Sequence, residues 1–428
     1  MTARRRSTTL RTARPLLMAG VWAACASLAA GCGVIPGTTA GSREPVTVMT
    51  WAPEGTAATN MPGMPAMARA YARWVNAHGG IDGRQLKVLT CNDDNDTVGA
   101  ARCARDAVER KVVAVVGSYS QHAPSFLGPL ESAGIPYLGG YGVTDQEFAS
   151  PLSYPVNGGQ PALMAGNGRQ LAAAGCRRTS LVRPDTVAGD QLPLLLDTGL
   201  AAGHGRAADV RAAEDATDYT DQARQALAAA GADPTAKGCV TAVLGDRTDT
   251  FFDSFRRAGD EYPKVRIASV LGSVDQTVID RSGGRSGVYE GAYVTGWYPV
   301  ATDRRWATMR QVINEQAFGD NRIDPADAGV QTTWIAYTVL KQVVESLGDG
   351  EVTAHTVRTA LDGGLKVRTG GLTPTLSWRF EDMIAVRDFP RLVNADVTFQ
   401  IVRDGRLVAA RRGLVDVSRT LEATPEGW

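Results

Sequence analysis

The stretch from Asn76 to Val108, NAHGGIDGRQLKVLTCNDDNDTVGAARCARDAV, does more than any other to limit the folds open to this 428-residue chain. A helix carrying Ala68, Tyr71, Ala72 and Val75 runs into Gly79-Gly80, where glycine can take the left-handed cap conformation. Ile81 to Arg84 makes a tight turn, and Leu86, Val88 and Leu89 form a short apolar strand. Asp93 to Thr97 is a polar loop at that strand's C-terminal end. Asp96 or Thr97 can cap a second helix that carries Ala100, Ala101, Ala104 and Val108. Helix, turn, strand, loop and helix in this order make one unit of an α/β fold.

The same alternation runs along the chain. Strands are predicted at Val46–Trp51, Leu86–Cys91, Val112–Val116, Tyr137–Leu138, Ser180–Arg183, Val240–Leu244, Val265–Val270 and Ala292–Trp297. Alanine- and leucine-rich helical stretches separate them, among them Pro161–Ala174, Leu192–Ala202, Tyr219–Ala230 and Asp249–Ala258. Near-continuous apolar strands divided by helices indicate parallel sheets covered on both faces. The pattern occurs once before about Asn157 and again after it, and the length suits two domains better than one core. Pro151–Gly159 and Trp297-Tyr298-Pro299 read as crossovers, Asp327–Leu347 as a long amphipathic helix. Asp396–Ile401 and Leu407–Ala410, turning at Asp404-Gly405, read as a β-hairpin.

The first 31 residues read as a targeting segment. Five arginines up to Arg14 precede the apolar run Leu16–Ala30, which is shorter than the ~20 residues a spanning helix needs. Leu28-Ala29-Ala30-Gly31-Cys32 suggests a bacterial lipoprotein signal with Cys32 acylated, although Ala29 stands where a large aliphatic residue is usual. An ordinary signal peptide is the alternative. Arg4-Arg5-Arg6 raises twin-arginine export, which the following Ser-Thr-Thr-Leu matches poorly. Residues 32–43 are small and polar, a tether. Without the leader, 40 basic residues face 45 acidic ones, which argues against nucleic acid as a partner.

Exported chains meet oxidising conditions. Cys91, Cys103, Cys176 and Cys239 allow three pairings. Cys91 ends a strand and Cys103 lies in the next helix, while Cys176 and Cys239 each precede a strand. Bridges Cys91–Cys103 and Cys176–Cys239 are therefore expected, against the alternative of free buried thiols. The four histidines are scattered, so a zinc site is not expected.

The opening stretch also resembles the type I periplasmic solute-binding proteins, the branched-chain amino acid binding family. Its N-A-x-G-G-I-x-G, strand, D-D-x-x-D loop and alanine-rich helix stand in that family's order. Ala216-Thr217-Asp218-Tyr219-Thr220, Gln331 to Tyr337 and the terminal hairpin continue the likeness over most of residues 44–411. The resemblance implies two Rossmann-like lobes with parallel central sheets, joined by three crossovers. The first lobe would comprise residues 44–157 and 297–377, the second 158–296 and 378–428. It also implies a monomeric, non-enzymatic binding protein that serves an ABC permease from the outer face of the cytoplasmic membrane.

In open parallel sheets, ligands bind beyond the C-terminal ends of the strands. Those ends nominate Trp51, Glu54, Ser120, Gln121, Tyr141, Gly142, Thr144, Asp185 and Arg247, with Trp297 at a crossover. Relatives that bind amino acids hold the carboxylate with a serine after the third strand, and with a small residue and a threonine after the fourth. Here Gln121 aligns with the serine, Gly142 with the small residue and Val143 with the threonine, while Thr144 falls one place late. In the second lobe the family's tyrosine falls near Ala188 and its acid near Leu271. The amino-acid clamp is thus largely missing, with Glu54 or Asp185 as substitutes for the acid. Trp51, Tyr119, Tyr141 and Trp297 beside Arg247 suit an aromatic compound, an amide or a peptide fragment, and are equally suited to core packing.

Catalysis finds little support. Gly117-Ser118-Tyr119-Ser120-Gln121 lacks the second glycine of a nucleophile elbow, and Ser120 with His122 lacks a third partner. The Asp93–Asp96 run has Arg105 where a calcium loop needs its glutamate. No cofactor is expected. The sequence thus points to an exported binding protein that delivers a small organic solute, with a ligand sensor on the same scaffold as the alternative.

Overall fold

A computed structural model describes residues 43–57, 59–203 and 205–423. The leader, Cys32, all but the last residue of the tether, and His204 lie outside the described residues.

Two sheets organise the chain. The first is parallel throughout, with strands β1 (Arg43–Trp51), β2 (Arg84–Cys91), β3 (Ala114–Val116), β4 (Tyr137–Leu138) and β5 (Ser153–Tyr154) in the order β2-β1-β3-β4-β5. The second holds β6 (Arg178–Pro184), β7 (Ala207–Ala212), β8 (Gly238–Ala242), β9 (Val265–Val270) and β10 (Tyr293–Gly296), all parallel, in the order β7-β6-β8-β9-β10. Beyond β10 come β11 (Asp396–Arg403) and β12 (Arg406–Ala409), both antiparallel, and β13 (Val415–Asp416) pairs with β11. The hairpin turns where predicted. Asp404 and Gly405 both have positive φ, 53° and 71°, as a tight primed turn requires.

Every strand expected from the sequence is present, with bounds shifted by at most three residues, and three are unpredicted, the third being the two-residue β13. β5 is two residues long and lies inside the stretch read as a crossover. β7 (AADVRA) is a half-exposed, alanine-rich edge strand with no large apolar side chain but Val210, and only Val210 and Ala212 are buried. The helix at Thr97–Glu109 is capped by Asp96, whose carboxylate accepts from Gly99 N.

Three connecting segments run side by side between the two sheets. Asn157 Nδ2 donates to Tyr298 Oη at 3.0 Å, Trp378 Nε1 to Pro155 O at 2.9 Å and Asn394 Nδ2 to Val156 O at 3.0 Å. The helix Ala328–Ser346 is buried along most of its length, and its Thr333 hydroxyl donates to Gly117 O beyond β3.

Both expected disulfides are present, Cys91–Cys103 and Cys176–Cys239, each with 5.7 Å between Cα atoms. The first ties the end of β2 to the following helix across 12 residues. Removing it with paired alanines is expected to destabilise the fold by up to about 3 kcal/mol in the chain-entropy view. Urea titration of the double variant checks this. Among the described residues no helix is long and apolar enough to cross a membrane.

Candidate functional site

The strands of each sheet end at one cleft, which encloses about 90 Å³ and reaches about 840 Å³ when open solvent at its mouth is counted. One wall comes from the loops after β1, β3 and β4, through Thr59, Met61, Tyr119, Gln121, Tyr141 and Val143. The facing wall comes from the loops after β6, β7, β8 and β9, through Ala188, Glu214, Gly245 to Arg247 and Leu271 to Ser273. Trp297, on a connecting segment, and Gln160, Leu163 and Met164 complete the lining. Of the five positions that the family alignment singles out, Gln121, Val143, Ala188 and Leu271 face this one space and Gly142 does not.

Its floor is aromatic. Tyr119 meets Tyr141 edge-on with ring centroids 5.1 Å apart, and Tyr141 meets Trp297 in the same way at 5.1 Å. Such T-shaped pairs place electron-poor edges on electron-rich faces and hold the rings in fixed orientation. Trp297 Nε1 donates to Gly159 O at 2.9 Å, and Gln121 Nε2 donates to Tyr119 Oη at 3.1 Å and Thr59 Oγ1 at 3.3 Å. Burial holds both tyrosine hydroxyls protonated.

The walls are in contact. Gly272 comes so close to the Tyr141 hydroxyl that a side chain there would collide with it, and its φ of 90° favours glycine independently. Arg247 Nη2 donates to Ala57 O at 3.1 Å, and Gln191 bonds Asp145. The lobes are thus closed on each other.

Of the residues nominated from the sequence, Gln121, Tyr141, Arg247 and Trp297 line the cleft. The other six do not. Trp51 is fully buried in the core of the first sheet, against Phe126 at 5.3 Å and Tyr137 at 6.1 Å. Its strand ends at the cleft, but its side chain points to the sheet's opposite layer. Glu54 is exposed and pairs with Arg322 at 3.0 Å. Asp185 points outward to Arg211 at 3.6 Å, although its neighbours Pro184 and Thr186 face the cleft. Ser120 is buried; its hydroxyl bonds the Asp93 carboxylate and accepts from the His122 backbone amide at 3.2 Å. No hydrogen bond joins that hydroxyl to the His122 ring, whose Nε2 has no partner.

Gly142 and Thr144 serve a different carboxylate from the one expected. Gly142 N donates to Glu147 Oε2 at 3.1 Å, while Val143 N, Thr144 N and Thr144 Oγ1 donate to Glu147 Oε1 at 3.0, 3.1 and 3.1 Å. Glu147 is 2% exposed. The loop is an anion cradle, and the chain fills it itself. Burial pushes the Glu147 carboxyl up to about 7, against four hydrogen bonds that favour its charge. Sequence reasoning missed Glu147. The signal was there: Thr144-Asp145-Gln146-Glu147 has the T-x-x-E spacing of a capping box.

Glu214 was missed as well. It follows the unpredicted strand β7 and reaches the cleft half-buried, hydrogen-bonded to Gln121. Burial raises its carboxyl above the ordinary range. Among the described residues no group of three or more His, Cys, Asp or Glu side chains is arranged to hold a metal.

Comparison with known proteins agrees with this architecture. A family model described as periplasmic binding protein matches residues 49–389. No curated protein matches the chain. Among solved structures, a leucine binding protein from Thermotoga maritima MSB8 is 14% identical, with 87% of this chain and 99% of that one covered at a TM-score of 0.66. A solute binding protein of an ABC transporter from Rhodopseudomonas palustris BisB5, in complex with 3,4-dihydroxy benzoic acid, is 15% identical, with coverage of 87% and 97% and a TM-score of 0.66. A fatty acid ABC transporter substrate-binding protein from Thermomonospora curvata is 11% identical, with coverage of 89% and 95% and a TM-score of 0.68. At these identities the likeness is one of fold.

Proposed function

The chain belongs to the periplasmic binding protein family, and from that premise we propose that it is an extracytoplasmic solute-binding protein of an ABC importer. It traps a small organic solute, whether amino acid, amide or aromatic compound, between two lobes. The observation that carries this reading is the closed cleft at the facing strand ends, with Tyr119, Tyr141 and Trp297 as its apolar floor. Proteins of similar fold include a leucine binding protein, one in complex with 3,4-dihydroxy benzoic acid and a fatty acid ABC transporter substrate-binding protein, which supports a small organic cargo. The family is one of binding proteins, not of enzymes.

The lobes take residues 44–157 with 297–377, and 158–296 with 378–428. Closure around the connecting segments marks the loaded state for the permease. The protein acts as a monomer, held on the outer face of the cytoplasmic membrane through acylated Cys32, with the tether to residue 43 giving the lobes reach. Cys32→Ser is expected to move the protein from the membrane pellet to the soluble fraction; retention in the pellet would count against the anchor.

Thermal-shift screening of the purified protein tests the binding reading, because a solute that binds only the native state raises Tm. Hits that also compete for uptake by cells support delivery. A second reading, a sensing lipoprotein on the same scaffold, is favoured by the departure of residues 142–147 from the amino-acid clamp. Unchanged uptake of every bound solute after deletion of the importer would select it.

A further inference from the structure

We propose that the cargo of this cleft is an organic cation, an amine or amidinium on an apolar or aromatic body, carrying no carboxylate toward the Tyr141–Thr144 wall. This rests on the reading of the cleft as a solute site and narrows it.

The anion cradle is already filled. The three backbone amides and one hydroxyl that would receive an anion at the end of β4 are already bonded to Glu147. Glu147 is buried, so a ligand carboxylate would have to displace a carboxylate held by four donors. The other polar groups of that wall are also engaged, Trp297 Nε1 with Gly159 O and Gln121 Nε2 with Tyr119 and Thr59.

The facing wall carries more negative than positive charge. Two carboxylates, Glu214 and Asp246, and one guanidinium, Arg247, line the cleft. Arg247 gives one of its amino groups to Ala57 O across the cleft. Glu214 accepts from the amide of Gln121 and has the His122 ring nearby, which works against the effect of burial, but among the described residues no arginine or lysine forms an ion pair with it, so half-burial leaves its charge only partly compensated. A cationic ligand supplies the missing counter-charge.

Tyr119, Tyr141 and Trp297 stand beside Glu214 in one cavity, and aromatic faces attract cations that have left water. A chamber that opens beside the cleft, sharing Met61, Asp246 and Ser273, adds Asp249, Asp275, Asp324 and Asp327. Its two arginines are already engaged, Arg281 with Asp249 at 3.5 Å and Arg322 with Glu54 and Asp320. The field at the mouth is therefore negative, which draws cations in and repels anions.

The test is a calorimetric and thermal-shift panel on the intact mature protein, balanced across charge and built on the matched set benzylamine, benzyl alcohol and benzoate. The expected result is that hits are cations, with benzylamine binding about tenfold tighter than benzyl alcohol and benzoate not binding. Glu214→Gln, which keeps the size and the bond to Gln121, is expected to weaken benzylamine about tenfold and leave benzyl alcohol unchanged. Hits that are neutral or anionic overturn the cation assignment and leave the solute-binding reading standing. Absence of any hit across the panel counts against both. An E214Q variant that folds and binds benzylamine as the wild type does also overturns the assignment.

Discussion

Glu147→Ala is expected to destabilise the protein by roughly 3–9 kcal/mol at pH 5. Three buried backbone amides lose their acceptor at once, and each buried donor left unpaired costs about 1–3 kcal/mol. The Thr144 hydroxyl can rotate to another partner, so it adds little. The effect depends on pH with a definite sign. The folded carboxyl titrates near 7 and the unfolded one at its ordinary 4.5, so between these values the native state holds a proton that the unfolded chain has released. Stability of the wild type therefore falls as pH rises through that window, by up to about 3 kcal/mol from this group. Asp327, which burial likewise pushes up to about 7, adds to the same slope. In Glu147→Ala the slope is shallower, and the gap between variant and wild type narrows from pH 5 to pH 8. Urea denaturation at the two pH values measures both effects. A variant as stable as the wild type at pH 5 would show that the cradle contributes nothing to the fold.

Loss of the Cys176–Cys239 bridge is the second large effect, about 4 kcal/mol. The bridge closes 63 residues, and the stabilisation of a cross-link rises with the loop it closes. It joins the segment entering β6 to β8, whose registers place Thr179 opposite Cys239, so it staples the centre of the second sheet. Cys239 is fully buried, and serine there would bury a hydroxyl; alanine at both positions isolates the effect of the cross-link. The double alanine variant should unfold at lower urea with an altered slope, since the unfolded chain is no longer constrained. An unchanged midpoint after complete removal of the bridge would contradict this view.

How far the sequence reached follows from what each signal measures. Apolar runs of large side chains report burial, so the buried strands are legible and the half-exposed, alanine-rich edge strand β7 is not. That omission hid Glu214, because a strand-end residue can be nominated only when its strand is recognised. Trp51 was misplaced for a related reason. Successive side chains in a strand point to opposite faces, so being last in β1 does not decide which layer a ring enters, and Trp51 turned to Phe126 and Tyr137. Gly142 and Thr144 were read through the family's clamp, while the T-x-x-E spacing that ties them to Glu147 passed unnoticed. Asp185 and Glu54 fail on a shorter scale: within one loop, neighbours face opposite ways. Of the five aligned positions, Gln121, Val143, Ala188 and Leu271 share one cavity even though none of these four keeps the side chain that the family uses, while Gly142 lies outside it.

The account's central claim is that solute is held between the two walls. Hydrogen exchange followed by mass spectrometry, on the protein with and without a solute found by thermal shift, tests it most directly. Protection is expected to rise together in Tyr119–Gln121 and Tyr141–Thr144 on one wall and in Gly245–Arg247 and Leu271–Ser273 on the other. Protection confined to one wall, or placed away from both, would contradict it.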